Sequence, residues 1–250
     1  MTARSIGIPG TTDPGVIRRI APHVEALGYR ALWINDTAGG DSLAGIAAAA
    51  AATTTLGLAS GVIPLDRQPG GEIARRVREL DLPLHRTRVG VGSGTSRHPL
   101  GLLEDGVGEL RSAGVPVMIG ALGPRARALA ARIADGILFN WLTPEAADAA
   151  SRQLHEAAPG AQAVLYARTI GEAVARPMLQ VEVERYRSIP SYAANFDRLG
   201  IDPVDTAIDL SDGREVPDYG QLDELVLRAI TATGSEGALL RLIETGAPTA

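Results

Sequence analysis

The sequence has 250 residues, 45% of them hydrophobic, so it is long enough to bury one sizeable core. Its formal net charge is −5, and no basic run stands out, which argues against a nucleic acid partner. The absence of cysteine excludes disulfides and cysteine-held metal centres. All 24 Lys+Arg residues are arginine, which excludes lysine Schiff bases and a phosphate loop that depends on lysine.

No segment of the sequence predicts a membrane anchor. The apolar stretch at residues 5–8 is too short for the hydrophobic part of a signal peptide. The apolar run at 43–55 is shorter than the roughly 20 residues that a spanning helix needs. We therefore expect a cytoplasmic protein with no membrane partner.

Short apolar runs alternate with amphipathic stretches, a pattern typical of parallel strands joined by crossover helices. Eight strands are predicted, at 5–8, 31–35, 55–62, 88–91, 116–119, 136–139, 163–168 and 224–230. Helices are predicted at about 14–27, 42–52, 71–80, 100–113, 125–134, from 144 onwards, and 235–244. Helix-capping side chains are expected from Asp13, Asp41 and Thr143.

A helical stretch at 171–199 and a segment rich in Pro, Gly and Asp at 201–220 interrupt this alternation. Within the first, residues 182–185 mix both charge signs and indicate a solvated helix face. The predicted fold is α/β: a single (β/α)8 TIM-barrel domain over residues 1–250, with a helical insertion between strands 7 and 8. Such barrels carry their sites on the loops after the carboxyl ends of the strands.

Five segments at predicted strand ends carry a family resemblance, at residues 27–33, 56–65, 89–94, 119–124 and 134–141. Together, and in this order, they resemble the bacterial luciferase-like superfamily, and within it the oxidoreductases that depend on the deazaflavin coenzyme F-420. Residues 186–196 resemble one branch of the superfamily more loosely. The resemblance implies a luciferase-like barrel, a flavin or deazaflavin cofactor and a homodimer.

A Gly-Ser-Gly motif at 92–94 directly follows a predicted strand. A dinucleotide fingerprint needs a helix to start at once after its glycines, and residues 95–99 read Thr-Ser-Arg-His-Pro instead. Two interpretations are open: an ordinary strand–helix turn, or glycines that let the backbone approach a flat ring while Ser93 donates a hydrogen bond. The resemblance favours the second and assigns Ser93 and Gly94 to the cofactor.

Leu122 and Gly123 directly precede a predicted helix that opens on proline. The free amides and positive dipole end of a helix N-terminus bind phosphate without any lysine, and the arginines at positions 125 and 127 add positive charge. Asn140 and Thr143, in the next loop along the sheet, can hydrogen-bond the same phosphate. The alternative is that Gly-Pro serves only to start the helix.

Two further candidates end strands 2 and 3. In the superfamily a non-prolyl cis peptide supports the middle of the deazaflavin ring, and the resemblance assigns it to Gly61–Val62. A plain trans strand end is the alternative. Asp36 can hydrogen-bond the ring or the substrate, or it can belong to the turn formed with its neighbours.

The sequence also departs from the sugar-phosphate dehydrogenases of the superfamily. These carry a histidine after the aspartate and a glutamate after the Gly-x-Gly motif, where this sequence has Thr37 and Thr95. The departure argues against sugar-phosphate oxidation and removes the obvious acid/base pair. His98 is the histidine to consider for proton transfer, with an exposed loop residue as the alternative. Arg228, in the last strand, either faces the barrel mouth or forms a structural ion pair.

The leading hypothesis is an oxidoreductase that transfers a hydride between coenzyme F-420 and a small organic substrate. Three alternatives are open: an FMN-dependent monooxygenase of the same superfamily, a barrel that binds a flavin-like ligand without turnover, and an unrelated phosphate-binding barrel. A monooxygenase needs a water-excluding lid, which the stretch after strand 7 would supply. No catalytic residue is assigned, and no histidine–carboxylate spacing indicates a metal site.

Overall fold

Eight parallel strands close into a barrel in the computed structural model, which describes residues 2–248. The barrel strands are β1 (Ala3–Pro9), β2 (Ala31–Asn35), β3 (Gly57–Pro64), β4 (Thr87–Gly92), β5 (Val117–Gly120), β6 (Gly136–Asn140), β7 (Gln162–Ile170) and β9 (Glu224–Ala229), and a ninth strand, β8 (Ile208–Asp209), lies outside the barrel. The helices are α1 (Pro14–Ala26), α2 (Ser42–Ala50), α3 (Gly70–Glu79), α4 (Pro99–Ser112), α5 (Pro124–Ile133), α6 (Pro144–Ala157), α7 (Arg176–Arg187), α8 (Pro190–Leu199) and α9 (Glu236–Thr245).

The ring runs from β1 to β7 in sequence order and closes through β9, which pairs with both β7 and β1. The two-residue strand β8 pairs with the end of β7, outside the ring. The predicted (β/α)8 barrel and its helical insertion before the last barrel strand are therefore confirmed. The short β8 was not predicted, because two residues are too few to show an alternating pattern.

Side-chain caps fix the starts of several helices where the sequence predicts them. Asp13 accepts hydrogen bonds from the amides of Gly15 and Val16, and Asp41 accepts one from Ala44. Thr143 caps α6 through the amide of Ala146. Each cap satisfies amides that have no partner inside the helix.

The predicted helical stretch at 171–199 is two helices, α7 and α8, preceded by a short 3-10 turn at Ala173–Ala175. The break falls at Ser188 and Ile189, directly before Pro190. Proline disfavours helical backbone in the residue before it, which explains the break. None of the helices within residues 2–248 is long and apolar enough to cross a membrane.

The core has an outer and an inner part. The outer part lies between the barrel and its helices and includes Ile17, Ile20 and Val24 of α1. The inner part fills the barrel and consists of Ala31, Trp33, Ala59, Met118, Leu138, Val164, Tyr166 and Val226, with Val62 packed against it. Both parts follow from the strand period of two, which sends alternate side chains inward and outward.

A buried carboxylate organises the amino-terminal end of the barrel interior. Glu224 of β9 is 1% exposed, and its Oε1 accepts hydrogen bonds from Ser5 Oγ of β1 and Trp33 Nε1 of β2, each at 2.6 Å. Its Oε2 accepts one from Arg88 Nη2 of β4 at 2.7 Å and lies 3.3 Å from Arg30 Nε. The arrangement ties three other strands of the ring, β1, β2 and β4, to one carboxylate of β9.

A second carboxylate, that of Glu25 at the end of α1, organises the approach to β3. Glu25 Oε1 accepts hydrogen bonds from the amides of Thr54, Thr55 and Leu56 and from Thr55 Oγ1, at 2.6–3.0 Å. Burial alone would raise the pKa of Glu25, but these hydrogen bonds outweigh it and lower the pKa to about 2. They also explain why β3 begins at Gly57, since the predicted start at residue 55 lies in this turn.

Substitution Glu224→Gln should lower the free energy of unfolding by about 3 kcal/mol, because it removes the buried charge that pairs with Arg88 and Arg30. Urea denaturation measures the change. The control is Glu79→Gln, which breaks the exposed pair with Arg75 within α3 and should cost at most about 0.5 kcal/mol. Equal losses in the two variants would contradict the organising role of Glu224.

Substitution Glu25→Gln should destabilise the protein in a pH-dependent way. A lowered pKa means that the ionised carboxylate favours the folded state, so the stability difference from the wild type is complete above about pH 4.5. It should shrink as the pH falls and vanish near pH 2. Urea denaturation at a series of pH values tests this, and a difference that is constant with pH would disprove it.

Candidate functional site

One half of the barrel mouth, the glycine-lined half, is marked by four glycines. Gly7, Gly61, Gly92 and Gly120 stand near the carboxyl ends of β1, β3, β4 and β5. A Cβ atom at Gly92 would lie 2.9 Å from Val62 Cγ2, and one at Gly7 would lie 2.8 Å from Tyr166 Oη. These contacts leave no room for side chains at the two positions, because the side chains of Val62 and Tyr166 pack directly against the glycine backbone.

The peptide bond between Gly61 and Val62 is cis, at the position that the family resemblance implies. The register between β3 and β4 shifts here, between Ser60 and Ile63. Val62 is half-buried, and its methyl groups lie over Gly92 and Gly120. Val62 therefore stands at the centre of the glycine-lined half.

The loop after β4 contains Ser93, which is half-buried, and Gly94, which is exposed with a φ of +58°. Asp66, from the loop after β3, accepts hydrogen bonds from Thr95 N at 2.7 Å and Thr95 Oγ1 at 2.8 Å. The positive φ and the closeness of Asp66 to Gly94 explain the glycine. Thr95, which replaces a glutamate of related dehydrogenases, thus has a structural partner.

A cluster of positive charge stands at the start of α5, beside Leu122 and Gly123. Arg127 Nε is buried without a hydrogen-bond partner, and Arg198 of α8 donates to the carbonyl of Leu122 and to Asn195 Oδ1. Neither arginine has a carboxylate within 4 Å among residues 2–248. Burial lowers the pKa of Arg127 to about 10, and the positive charge of Arg198 acts in the same direction. A bound anion would offset both effects on the pKa of Arg127.

Asn140 and Thr143 follow β6. Asn140 Oδ1 accepts a hydrogen bond from Arg168, and its side chain also contacts the Tyr192 hydroxyl of α8. Burial raises the pKa of Tyr192 to about 12, so its hydroxyl stays protonated. Thr143 is occupied as the cap of α6, although its hydroxyl hydrogen remains available. Through Tyr192 and Arg198, α8 links the loops after β5 and β6.

Asp36 lies apart from these groups, at the end of β2. Its carboxylate accepts a hydrogen bond from Ser42 Oγ at 2.7 Å and forms an ion pair with Arg67. The Asp36 side chain is 5% exposed, and its Oδ1, beside Arg67, is buried without a hydrogen-bond partner. His98 is exposed at the start of α4, as expected for the loop-residue alternative.

The other half of the mouth is polar. Arg168 of β7 and Arg228 of β9 lie side by side as register partners, 2% and 7% exposed. Glu182 Oε1 of α7 lies 3.2 Å from both Arg168 Nε and Arg228 Nη1. The prediction of a solvated face around residue 182 is therefore wrong for Glu182. Arg228 combines its two predicted roles, because it faces the mouth and forms an ion pair.

Sequence reasoning missed Arg168, Tyr166 and Glu182. The alternation of β7 gives the signal for the first two, since positions 164, 166 and 168 share the inward face. Nothing local marks Glu182, whose partners are 14 and 46 residues away along the chain.

The insertion covers this polar half with an aromatic cluster. Trp141, which follows β6, is buried beneath Tyr186 of α7 and Phe196 of α8. The guanidinium of Arg168 lies 3.9 Å from the centre of the Trp141 ring and 4.7 Å from that of Tyr186. Stacking between these rings fixes the orientation of Arg168 at the mouth.

Comparisons with known proteins agree with this fold. The family model described as luciferase-like monooxygenase matches residues 2–109. No curated protein matches the chain. Among solved structures, a coenzyme F-420 dependent tetrahydromethanopterin reductase from Methanopyrus kandleri is 14% identical, with a TM-score of 0.69 over 98% of each chain. A monooxygenase from Streptomyces bottropensis is 15% identical, with the same TM-score and coverage.

A third solved structure is the oxygenating constituent of a diketocamphane monooxygenase from Pseudomonas putida, in complex with FMN. It is 14% identical, with a TM-score of 0.64 over 98% of this chain and 97% of that one. At these identities the structures establish the fold alone. The resemblance to the luciferase-like superfamily is thus confirmed by sequence over residues 2–109, and the solved structures share the barrel fold along nearly the whole chain.

Proposed function

We propose that the protein is an oxidoreductase that binds the deazaflavin coenzyme F-420 and transfers a hydride between it and a small organic substrate. The observation that carries the proposal is the division of the barrel mouth. On one side Val62 packs over glycine backbone, and at the start of α5 two arginines, Arg127 and Arg198, have no carboxylate partner among the described residues. A flat ring with a phosphate-bearing tail matches both features.

The ring would lie on the glycine-lined half of the mouth. Gly61 and Val62 would support its middle, while Ser93 and Gly94 would contact it from the loop after β4. Asp36 would approach from the end of β2, held in place by Arg67 and Ser42. Small residues suit this role because backbone approaches a planar group more closely than side chains do.

The phosphate would lie at the start of α5. Leu122 and Gly123 precede its free amides, and Asn140 and Thr143 would add hydrogen bonds from the neighbouring loop. Arg127 would supply charge, since its half-buried side chain has a buried Nε without a partner. An anion at this point would restore the charge balance that Arg127 and Arg198 lack.

The bound cofactor would supply the hydride chemistry, and the protein would orient it and keep out water. The insertion serves the second task, because Trp141, Tyr186 and Phe196 form a packed cover beside the mouth. Thr37 and Thr95 stand where related dehydrogenases have their acid and base, so those two positions supply no proton-transfer group.

The alternative function is an FMN-dependent monooxygenase. The observation that favours it is the same packed cover, since oxygen chemistry on a reduced flavin needs an enclosed site. The homodimer and the cytoplasmic location implied at the outset stay predictions.

Equilibrium binding of coenzyme F-420 and of FMN to the purified protein, followed by ligand fluorescence, tests the proposal. Tight binding of F-420 with weak binding of FMN supports it. The reverse preference favours the monooxygenase, which is then tested by oxygen consumption with reduced FMN. Binding of neither cofactor overturns both functions.

Substitution Arg127→Gln should weaken binding of the phosphate-bearing cofactor about 10- to 100-fold, as expected for loss of a charged hydrogen bond. Affinity for the same chromophore without its phosphate should not change. The matched control is Arg132→Gln on the same helix, whose exposed side chain pairs with Glu104. If Arg127→Gln weakens both ligands equally, Arg127 does not bind the phosphate.

A further inference from the structure

We propose that Arg168 and Arg228 bind a carboxylate of the substrate, and that Glu182 of the insertion occupies their binding position until the substrate displaces it. The inference deepens the proposed function and rests on it, because a bound carboxylate is a substrate only if the protein is an oxidoreductase. It identifies the substrate class as small organic acids and makes α7 a cover whose closure competes with substrate binding.

The position of the two arginines is the first argument. They occupy matching register positions on adjacent strands, both inward, at the carboxyl ends of β7 and β9. Gly7, the register partner of Arg228 on β1, belongs to the glycine-lined half of the mouth. The arginine pair therefore adjoins the surface proposed for the cofactor ring, where a substrate must lie to exchange a hydride.

Charge balance is the second argument. Two buried guanidinium groups share one carboxylate, and among residues 2–248 no other carboxylate lies within 4 Å of either. Arg228 Nε has no hydrogen-bond partner, and neither has Tyr166 Oη, which lies close to Gly7. Burial lowers the pKa of Arg228; Glu182 opposes this effect and Arg168 adds to it. The site thus has more donors and more positive charge than Glu182 satisfies.

The chemistry of Glu182 is the third argument, since it indicates which anion fits. Its carboxylate bridges Arg168 and Arg228 at equal distances of 3.2 Å. Arginine forks match planar carboxylates closely, and here Trp141, which lies outside α7, holds the Arg168 fork in place. A ligand carboxylate can take the same position without any change in the two arginines.

The location of Glu182 is the fourth argument, because it permits exchange. Glu182 is 14% exposed, whereas both arginines are more deeply buried. It belongs to the insertion and not to the barrel. Its helix, α7, exposes Met178 and Val181 to solvent, and the preceding turn exposes Val174. The anion nearest to solvent is thus carried by the element that can move without opening the ring of strands.

The test uses benzoate as the carboxylate probe and benzamide as its uncharged match, at constant ionic strength and without cofactor. Trp141 stacks on Arg168, so tryptophan fluorescence reports binding. Glu182→Gln should bind benzoate about 10-fold more tightly than the wild type, because the competing carboxylate is gone. Arg228→Gln should bind it at least 10-fold more weakly. Benzamide should not distinguish the variants.

Chemical rescue keeps the test decisive if Glu182→Gln is poorly stable. Benzoate should raise the melting temperature of Glu182→Gln but not that of the double variant Glu182→Gln/Arg228→Gln. Glu184→Gln is the control on the same helix, since Glu184 pairs with Arg187 at the surface, and benzoate should affect it no more than the wild type.

Equal responses of Glu182→Gln and the double variant to benzoate would overturn the inference and leave Glu182 as a purely structural ion. Because these titrations contain no cofactor, their failure is separate from that of the proposed function. A protein that binds F-420 but shows no arginine-dependent benzoate binding keeps its function and loses this substrate class.

Discussion

The buried carboxylate of Glu224 is the interaction on which the barrel depends. A closed ring needs its first and last strands to meet in one register, and Glu224 joins β9 to side chains of β1, β2 and β4 inside the barrel. Both of its oxygens are fully hydrogen-bonded, which offsets the cost of burying the charge. A shift of β9 by one residue would turn this carboxylate outward and leave Arg88 without its partner. The network therefore also selects the register of β9.

The two ends of the barrel differ in how their buried polar groups are paired. At the amino-terminal end, the side chains that contact Glu224, those of Ser5, Trp33, Arg88 and Arg30, are all paired with it. At the mouth, Arg127 Nε, Arg228 Nε and Tyr166 Oη are buried without partners. Proteins rarely leave such atoms unsatisfied unless a ligand or water completes them. The contrast separates the end that holds the fold together from the end at which we place the chemistry.

The sequence predicts well whatever depends on neighbours along the chain. The strands, the caps Asp13, Asp41 and Thr143, and the glycines of the mouth come from local patterns and from the order of the family motifs. The charged contacts could not be predicted in this way. Ser5 and Glu224 are 219 residues apart, and Glu182 sits among mixed charges that are typical of a solvated helix. Only closure of the barrel and the fold-back of α7 decide which charges meet.

The contact between Asp66 and Thr95 has a consequence for how the mouth can diversify. Asp66 lies in the loop after β3, and it fixes the backbone of the loop after β4 through two hydrogen bonds. The two loops therefore share one conformational state, and mutations in them will be epistatic. A library that randomises residues 93–98 while Asp66 stays fixed explores sequences on one backbone conformation. New loop conformations require Asp66 and residues 93–98 to vary together.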